Sequence, residues 1–375
     1  MTIDRRRLVV LGVAGAACWW HAAASGARPR GRTAAPDDLP AREASWYKKL
    51  EEGRVECELC PQACTVADME RGMCGVRENR GGTYYTLVHS LACAVHVDPI
   101  EKKPFFHVMP GEKALSYSTA GCNVECKFCQ NWELSQFRPE QVAAYDLPPE
   151  AMIRVARQNG AKLTAATYGE PVVFWEYVRD AARSANRAGI KPTVVSNGFI
   201  KPEPLREVLP LLSAVKVDLK AFTDDFYQQQ VRGRLQPVLD TLRLIREAGV
   251  WLEIVVLLVP TLNDGAAEIK RLSSWVRTNL GSDVPVHFTR FHPTYRLTDL
   301  PPTPVATLER AWRIGREAGL DYVYLGNVPG HPGENTVCPG CGEIVIRRVG
   351  FQVVKNSLAD GACADCGREI PGVWS

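Results

Sequence analysis

Three cysteines in the stretch STAGCNVECKFCQNWELSQ (residues 118–136) open the chemical reading. Cys122, Cys126 and Cys129 follow the spacing C-x3-C-x2-C, and Phe128 stands directly before the last. A structural zinc site closes with four thiolates or histidines, and a disulfide framework needs pairs. Three thiolates on a short loop can instead hold three irons of a 4Fe-4S cube, leaving the fourth iron without a protein ligand. An open coordination position separates a chemical metal centre from a structural one. A zinc ion completed by a ligand from elsewhere is the competing reading.

The chain has thirteen cysteines in 375 residues, and most are clustered. Cys57, Cys60, Cys64 and Cys74 form one further group, Cys338, Cys341, Cys363 and Cys366 another, and only Cys18 and Cys93 lie outside. Short C-x-x-C spacings bring thiolates close enough to share a metal, whereas disulfide scaffolds are shorter and more evenly spaced. The pattern is that of a metalloprotein. Near the C-terminus, CPGCG and CADCG are two C-x-x-C-G knuckles separated by the strand-like EIVIRRVGFQVV, which reads as a zinc ribbon with a bracing or docking role. The N-terminal four can close over zinc or hold a second iron–sulfur cluster, and both readings stay open. Cys93 reads as a buried free thiol, and His89, His96 and His107 as packing or surface residues rather than ligands. A net charge of +3 without a dense basic-aromatic stripe argues against nucleic acid as a partner.

The elements that must position these residues follow from short apolar runs. KALSYST, KLTAATY, KPTVVSN, SAVKVDL, WLEIVVLLVP and VPVHFTRF read as buried strands, with DYVYLGN as a final one. Between them lie helical segments such as PVVFWEYVRDAARSANRAG, QPVLDTLRLIREAG and TLERAWRIGREAG, each closed by a glycine suited to a helix C-cap. This alternation predicts an α/β fold, a partial (β/α)6 TIM-like barrel, with a cysteine-rich N-terminal lobe and the C-terminal zinc ribbon. In such barrels the chemistry sits where strands end and loops begin. Gly169 and Glu170 follow the second strand, Ser196 and Asn197 the third, Asp218 and Lys220 the fourth, and His292 the sixth.

The expected divisions are a signal or anchor over 1–35, a linker and cysteine-rich lobe over 36–110, the barrel over 111–330 and the ribbon over 331–375. Arg5, Arg6 and Arg7 before an apolar run suggest a twin-arginine-like signal or a membrane anchor. Against export stands the chemistry above, which suits the cytoplasm. The expectation is therefore cytoplasmic chemistry by a chain that is tethered or exported through this segment.

The C-x3-C-x-aromatic-x-C loop resembles the signature of the radical SAM enzymes. That resemblance implies a 4Fe-4S cluster on Cys122, Cys126 and Cys129 whose open iron is chelated by S-adenosylmethionine. It implies reductive cleavage of that sulfonium to a 5′-deoxyadenosyl radical that abstracts hydrogen. Tyr168-Gly169-Glu170 is similar to the family's Gly-Gly-Glu segment, with Tyr168 in place of the first glycine. By likeness to pyruvate formate-lyase activating enzymes, Phe128, Gly169, Glu170, Ser196, Asn197, Asp218, Lys220 and His292 are the expected cofactor-binding residues. Those enzymes carry an Asp where this chain has Val195, which implies an altered or absent monovalent-cation site.

From about Trp46 onward, CELCPQACTVADMERGMCGVREN, VDPIEKKPFFHVMPG, CQNWELSQ, HFTRFHPTYRLTD and YVYLGNVPGHPGENTVCPGCG resemble the AmmeMemoRadiSam-system radical SAM enzymes. The implied partners are a flavodoxin- or ferredoxin-like electron donor and Memo-like and AMME-candidate-like proteins. The implied hydrogen donor is a C–H of a protein partner, with a small molecule as the competing version. Two other classes are weighed beside this one, an iron–sulfur electron carrier and a zinc-braced scaffold for partner proteins.

Overall fold

Runs buried on both faces build the centre of the structure, as expected of strands in a parallel sheet. The computed structural model describes residues 39–375, so the signal-like segment, its twin-arginine reading and Cys18 lie outside the described residues. One eight-stranded sheet contains Ala94–Pro99 (β1), Lys113–Ser118 (β2), Leu163–Ala166 (β3) and Lys191–Ser196 (β4). It continues through Ala214–Asp218 (β5), Trp251–Leu258 (β6), Val286–Arg290 (β7) and Val323–Gly326 (β8). The strands lie side by side in chain order, β2 to β8 parallel and β1 antiparallel to β2 at the edge. β1 comes from the region before residue 111, so that region contributes an edge strand to the main sheet. β1 and β8 are not hydrogen-bonded to each other, and the sheet is open.

Six helices make the crossovers: Pro149–Gln158 (α1), Trp175–Arg187 (α2), Pro202–Val208 (α3), Leu235–Glu247 (α4), Ala266–Asn279 (α5) and Val305–Glu317 (α6). With strands in sequential order, right-handed crossovers all fall on one face of the sheet. α2 shows why these segments are helical: Trp175, Val178, Ala182 and Ala185 recur at helical spacing and are all buried. Gly189, Gly249 and Gly319 follow α2, α4 and α6 with φ of +71°, +71° and +87°, the left-handed stop that the sequence led us to expect. The helix expected from Pro171 starts later. Pro171–Phe174 is a 3-10 turn because the Glu170 carboxylate accepts from the Val172 amide at 3.1 Å and caps it.

Ahead of the sheet, the N-terminal lobe consists of short antiparallel strands, including Val55–Cys57, Arg77–Arg80 and Thr83–Thr86. Its anchor is Arg77, which donates to both carboxylate oxygens of Glu176 on α2, with both side chains 1% exposed. Breaking such a buried pair from one side costs about 3–5 kcal/mol.

The C-terminal hairpin Ile344–Val349 and Gln352–Asn356 packs beneath the N-terminal ends of the strands. The Glu253 carboxylate, near the start of β6, accepts from the amides of Phe106 and His107 at 2.9–3.0 Å and lies 2.7 Å from His287 Nε2. Arg348 of the hairpin donates to the Phe106 carbonyl at 2.6 Å and lies over the Phe106 ring. His107 is fully buried, with Nδ1 2.7 Å from the Pro371 carbonyl and Nε2 2.6 Å from the Tyr324 hydroxyl.

Burial pushes the His107 imidazole down to about 4 and lowers His287 as well. The unfolded chain binds the His107 proton at about pH 6.5, which the folded chain refuses until about pH 4. The contribution is therefore whole above pH 6.5 and is lost as pH falls toward 4. Urea unfolding between pH 7 and pH 4 should show this loss, with a shallower slope in His107→Asn. An unchanged slope in that variant would exclude His107 as the responsible group.

Candidate active site

The three-cysteine loop leaves the C-terminal end of β2 and is fixed on several sides. The Glu125 and Lys127 amides donate to the Val231 and Gln230 carbonyls at 2.8 and 3.0 Å, and the Arg296 amide donates to the Lys127 carbonyl at 2.9 Å. Gly121, with φ +93°, enters the loop where a β-carbon would meet Val76 Cγ1 at 2.5 Å and the Cys74 carbonyl at 2.7 Å. The Cys129 amide donates to the Cys126 carbonyl at 3.2 Å, and Cys129 Sγ lies 3.2 Å from Ser135 Oγ. Phe128 is buried against Phe226. Burial pushes the Cys126 thiol up to about 12 and raises Cys122 well above its ordinary value, so a metal ligated here would have to displace protons.

Tyr168-Gly169-Glu170 follows β3. Tyr168 adopts φ +68°, the left-handed conformation, although it is not glycine. Its side chain holds it there: the hydroxyl donates to Asp98 at 2.8 Å and accepts from Lys103 at 2.9 Å, while Asn131 donates to its carbonyl at 2.9 Å. Gly169 presses against the end of β2, donating to Ser118 Oγ at 2.9 Å. Glu170 then turns inward. Its carboxylate accepts from Ser196 Oγ at 2.6 Å and the Asn197 amide at 2.8 Å, both at the end of β4. Burial nonetheless pushes the Glu170 carboxyl up to about 7, against these donors, so a cation placed beside it would hold it ionised.

Asn197 links this acid to the cysteine loop. Its side-chain amide donates to Asn123 Oδ1 at 2.9 Å and lies 4.0 Å from Cys122 Sγ, and Asn123 donates to the Phe199 carbonyl at 2.7 Å. At the end of β5, Asp218 accepts from Lys216 at 2.5 Å and Lys220 at 2.7 Å. Burial works to raise the Asp218 carboxyl, but the two ammonium groups hold it well below the usual carboxylate range. Lys220 is raised in turn: burial lowers it, and Asp218 with Cys126 more than compensates.

β2 to β5 are parallel, so these residues gather at one mouth of the sheet. His292 also follows a strand end, that of β7, but it is exposed and shares no hydrogen bond with Glu170, Ser196 or Asp218. Asn123 and Lys216 were not singled out from the sequence. A lysine inside the apolar run SAVKVDL, 4% exposed, was the visible signal for Lys216. Lys216 sits in register with Val195 of β4.

Sulfur spacing sorts the cysteine groups. Among the described residues, the one group of three or more donor atoms all within 4.8 Å of one another is Cys338, Cys341, Cys363 and Cys366. Cys338 and Cys366 are 3.6 Å apart, Cys341 and Cys363 3.7 Å, and the Gly340 amide lies 3.4 Å from Cys338 Sγ. Four thiolates at about 2.3 Å from one tetrahedral ion lie about 3.8 Å apart, so this set fits a single metal ion. Among the described residues, Cys122, Cys126 and Cys129 are not gathered that tightly.

Residues 116–272 match the pattern of the Radical SAM superfamily. The chain is 41% identical over 331 residues to the uncharacterized protein MJ0808 of Methanocaldococcus jannaschii, covering 88% of this chain and 98% of that protein. It is 25% identical over 235 residues to the pyruvate formate-lyase 1-activating enzyme of Escherichia coli, covering 57% of this chain and 93% of that enzyme. The crystal structure of a radical SAM methyltransferase from Sphaerobacter thermophilus overlays with a TM-score of 0.47 at 17% identity, over 79% of this chain and 81% of the other.

A β-carbon at Gly169 would stand 2.7 Å from Ser118 Oγ and 2.9 Å from the Thr119 carbonyl. Gly169→Ala should therefore cost about 1–3 kcal/mol in denaturant unfolding, the scale of overpacking. Because Thr119 leads into the cysteine loop, the same variant should retain less iron after anaerobic reconstitution.

Proposed function

The chain belongs to the radical SAM superfamily, and from that premise we propose that it activates a protein partner by abstracting hydrogen at the mouth formed by β2 to β5. Bound together, a 4Fe-4S cluster and S-adenosylmethionine supply reductive cleavage of the sulfonium, giving methionine and a 5′-deoxyadenosyl radical. Cys122, Cys126 and Cys129 would hold that cluster. One observation carries the reading: three thiols on one loop share a mouth with a buried carboxylate, Glu170, linked through Asn197 to that loop.

The chain's own residues then have distinct tasks. Glu170 offers its carboxylate to the ammonium group of the nucleotide, and Ser196 and the Asn197 amide keep that carboxylate aimed. Gly169 leaves room for close approach of the backbone. Asp218 and Lys220 form a fixed pair of opposite charges for the polar groups of ribose and carboxylate, with Lys216 as a second cation behind Asp218. Phe128 walls the apolar side, and the burial of the loop excludes water from a reactive intermediate. His292 stands at the same mouth, free to turn toward a bound adenine.

The protein partner is supported by the activating-enzyme relative, which also implies a flavodoxin- or ferredoxin-like electron donor. The narrower placement among AmmeMemoRadiSam-system enzymes, with Memo-like and AMME-candidate-like partners, rests on the strings quoted above. The sheet would serve as the family's partial barrel, and the four C-terminal thiols would bind zinc as a brace beneath it. No helix among the described residues is long and apolar enough to cross a membrane. The proposed setting is the cytoplasm, where the nucleotide and strong reductants are found.

Anaerobically reconstituted, reduced protein should release 5′-deoxyadenosine and methionine, and added S-adenosylmethionine should alter the g-values of the reduced cluster. Cys126→Ala should abolish both, and Asp218→Asn should weaken nucleotide binding roughly tenfold, as loss of a hydrogen bond to a charged group would. An unresponsive cluster without cleavage would mark an electron carrier. Colourless protein with zinc alone would mark a scaffold.

A further inference from the structure

The N-terminal cysteines face a common space. Cys57, Cys60, Cys64 and Cys74 line one small cavity with Arg77 and Tyr84. The Arg77 side chain, 1% exposed, forms part of the wall. Glu176 takes its two terminal nitrogens, but its buried Nε has no acceptor among the described residues. An orphaned buried donor beside four thiols calls for an anion in the cavity.

The choice between one metal ion and a cluster follows from comparison within the same chain. The four C-terminal thiols are drawn to within 4.8 Å of one another, at the spacing of a single tetrahedral ion. Among the described residues, no three of the N-terminal thiols are gathered that tightly, although all four line one cavity. Thiols that share a space but stand apart suit a body that fills the middle.

We propose that Cys57, Cys60, Cys64 and Cys74 hold a second 4Fe-4S cluster, with Arg77 Nε–H donating to a sulfur of it. Four protein thiolates leave no iron open, so this cluster binds no S-adenosylmethionine. Its position is as informative as its ligands. Asn123, the residue after Cys122, and Val172, two residues after Glu170, form the far wall of the cavity. A β-carbon on Gly121 would touch the Cys74 carbonyl, so the backbones leading to the two cysteine groups are in contact. Gln62, between Cys60 and Cys64, donates to the Asn123 carbonyl at 3.0 Å. The second cluster is built against the loop of the first.

The test uses the full chain, reconstituted anaerobically with iron and sulfide. The wild type should bind about eight irons, two cubes, by Mössbauer spectroscopy and sulfide analysis. The Cys122→Ala/Cys126→Ala/Cys129→Ala variant should keep about four irons, with a reduced EPR signal that S-adenosylmethionine leaves unchanged. Arg77→Lys should shift the potential of that signal, which loss of fold alone would not do. About four irons in the wild type, or zinc in place of iron in the triple variant, overturns the proposal. The triple variant lacks the three-cysteine loop, so its outcome is independent of whether the wild type cleaves S-adenosylmethionine. If the triple variant does not fold, the wild-type iron count decides alone.

Discussion

A buried carboxylate with donors from a neighbouring strand holds the centre of this molecule together. Glu170 receives Ser196 Oγ and the Asn197 amide from the end of β4 and the Val172 amide from its own turn. These bonds join the exits of β3 and β4, and Asn197 carries the connection to Asn123 and the cysteine loop at the exit of β2. A carboxyl in such a place is costly unless its oxygens are satisfied, so the geometry of three loops is set by one acid. The three-cysteine loop and Glu170 are not separately placed parts. They are consequences of the same network.

The parallel sheet gives this network its direction. β2 to β8 run the same way, so each functional side chain at a strand exit falls on one mouth, and the opposite mouth is left for support. There Glu253, His287, Tyr324, His107 and Arg348 close the strand entrances and seat the C-terminal four-cysteine unit. The N-terminal lobe takes a third position, alongside the loop and not beneath it, clamped by Arg77 and Glu176. Bracing and chemistry are thus separated by the ends of the strands.

Tyr168 shows how a departure from a motif is absorbed. A left-handed residue with a β-carbon costs of order 1–3 kcal/mol and persists only where its surroundings over-determine it. Here Asp98, Lys103 and Asn131 supply that determination, two of them from the segment around β1, which otherwise reads as a peripheral edge. The edge strand therefore contributes to the shape of the mouth.

Much of the molecule was legible in the residues alone. Buried runs of the length of SAVKVDL and helices ended by Gly189, Gly249 and Gly319 are local patterns, set by side-chain period and by backbone freedom at single positions. The cysteine loops are equally local, because C-x-x-C spacing by itself brings two sulfurs near one metal. Distance along the chain marks where legibility stopped. Arg77 meets Glu176 across 99 residues, and Asn123 meets Asn197 across 74. From the sequence, the C-terminal four cysteines read as a zinc ribbon, whereas the N-terminal four stayed open between zinc and a second iron–sulfur cluster. Only packing drew one set to the spacing of a single ion and left the other spread around a cavity, since sulfur–sulfur distance depends on how separate turns are pressed together and not on the count of residues between them.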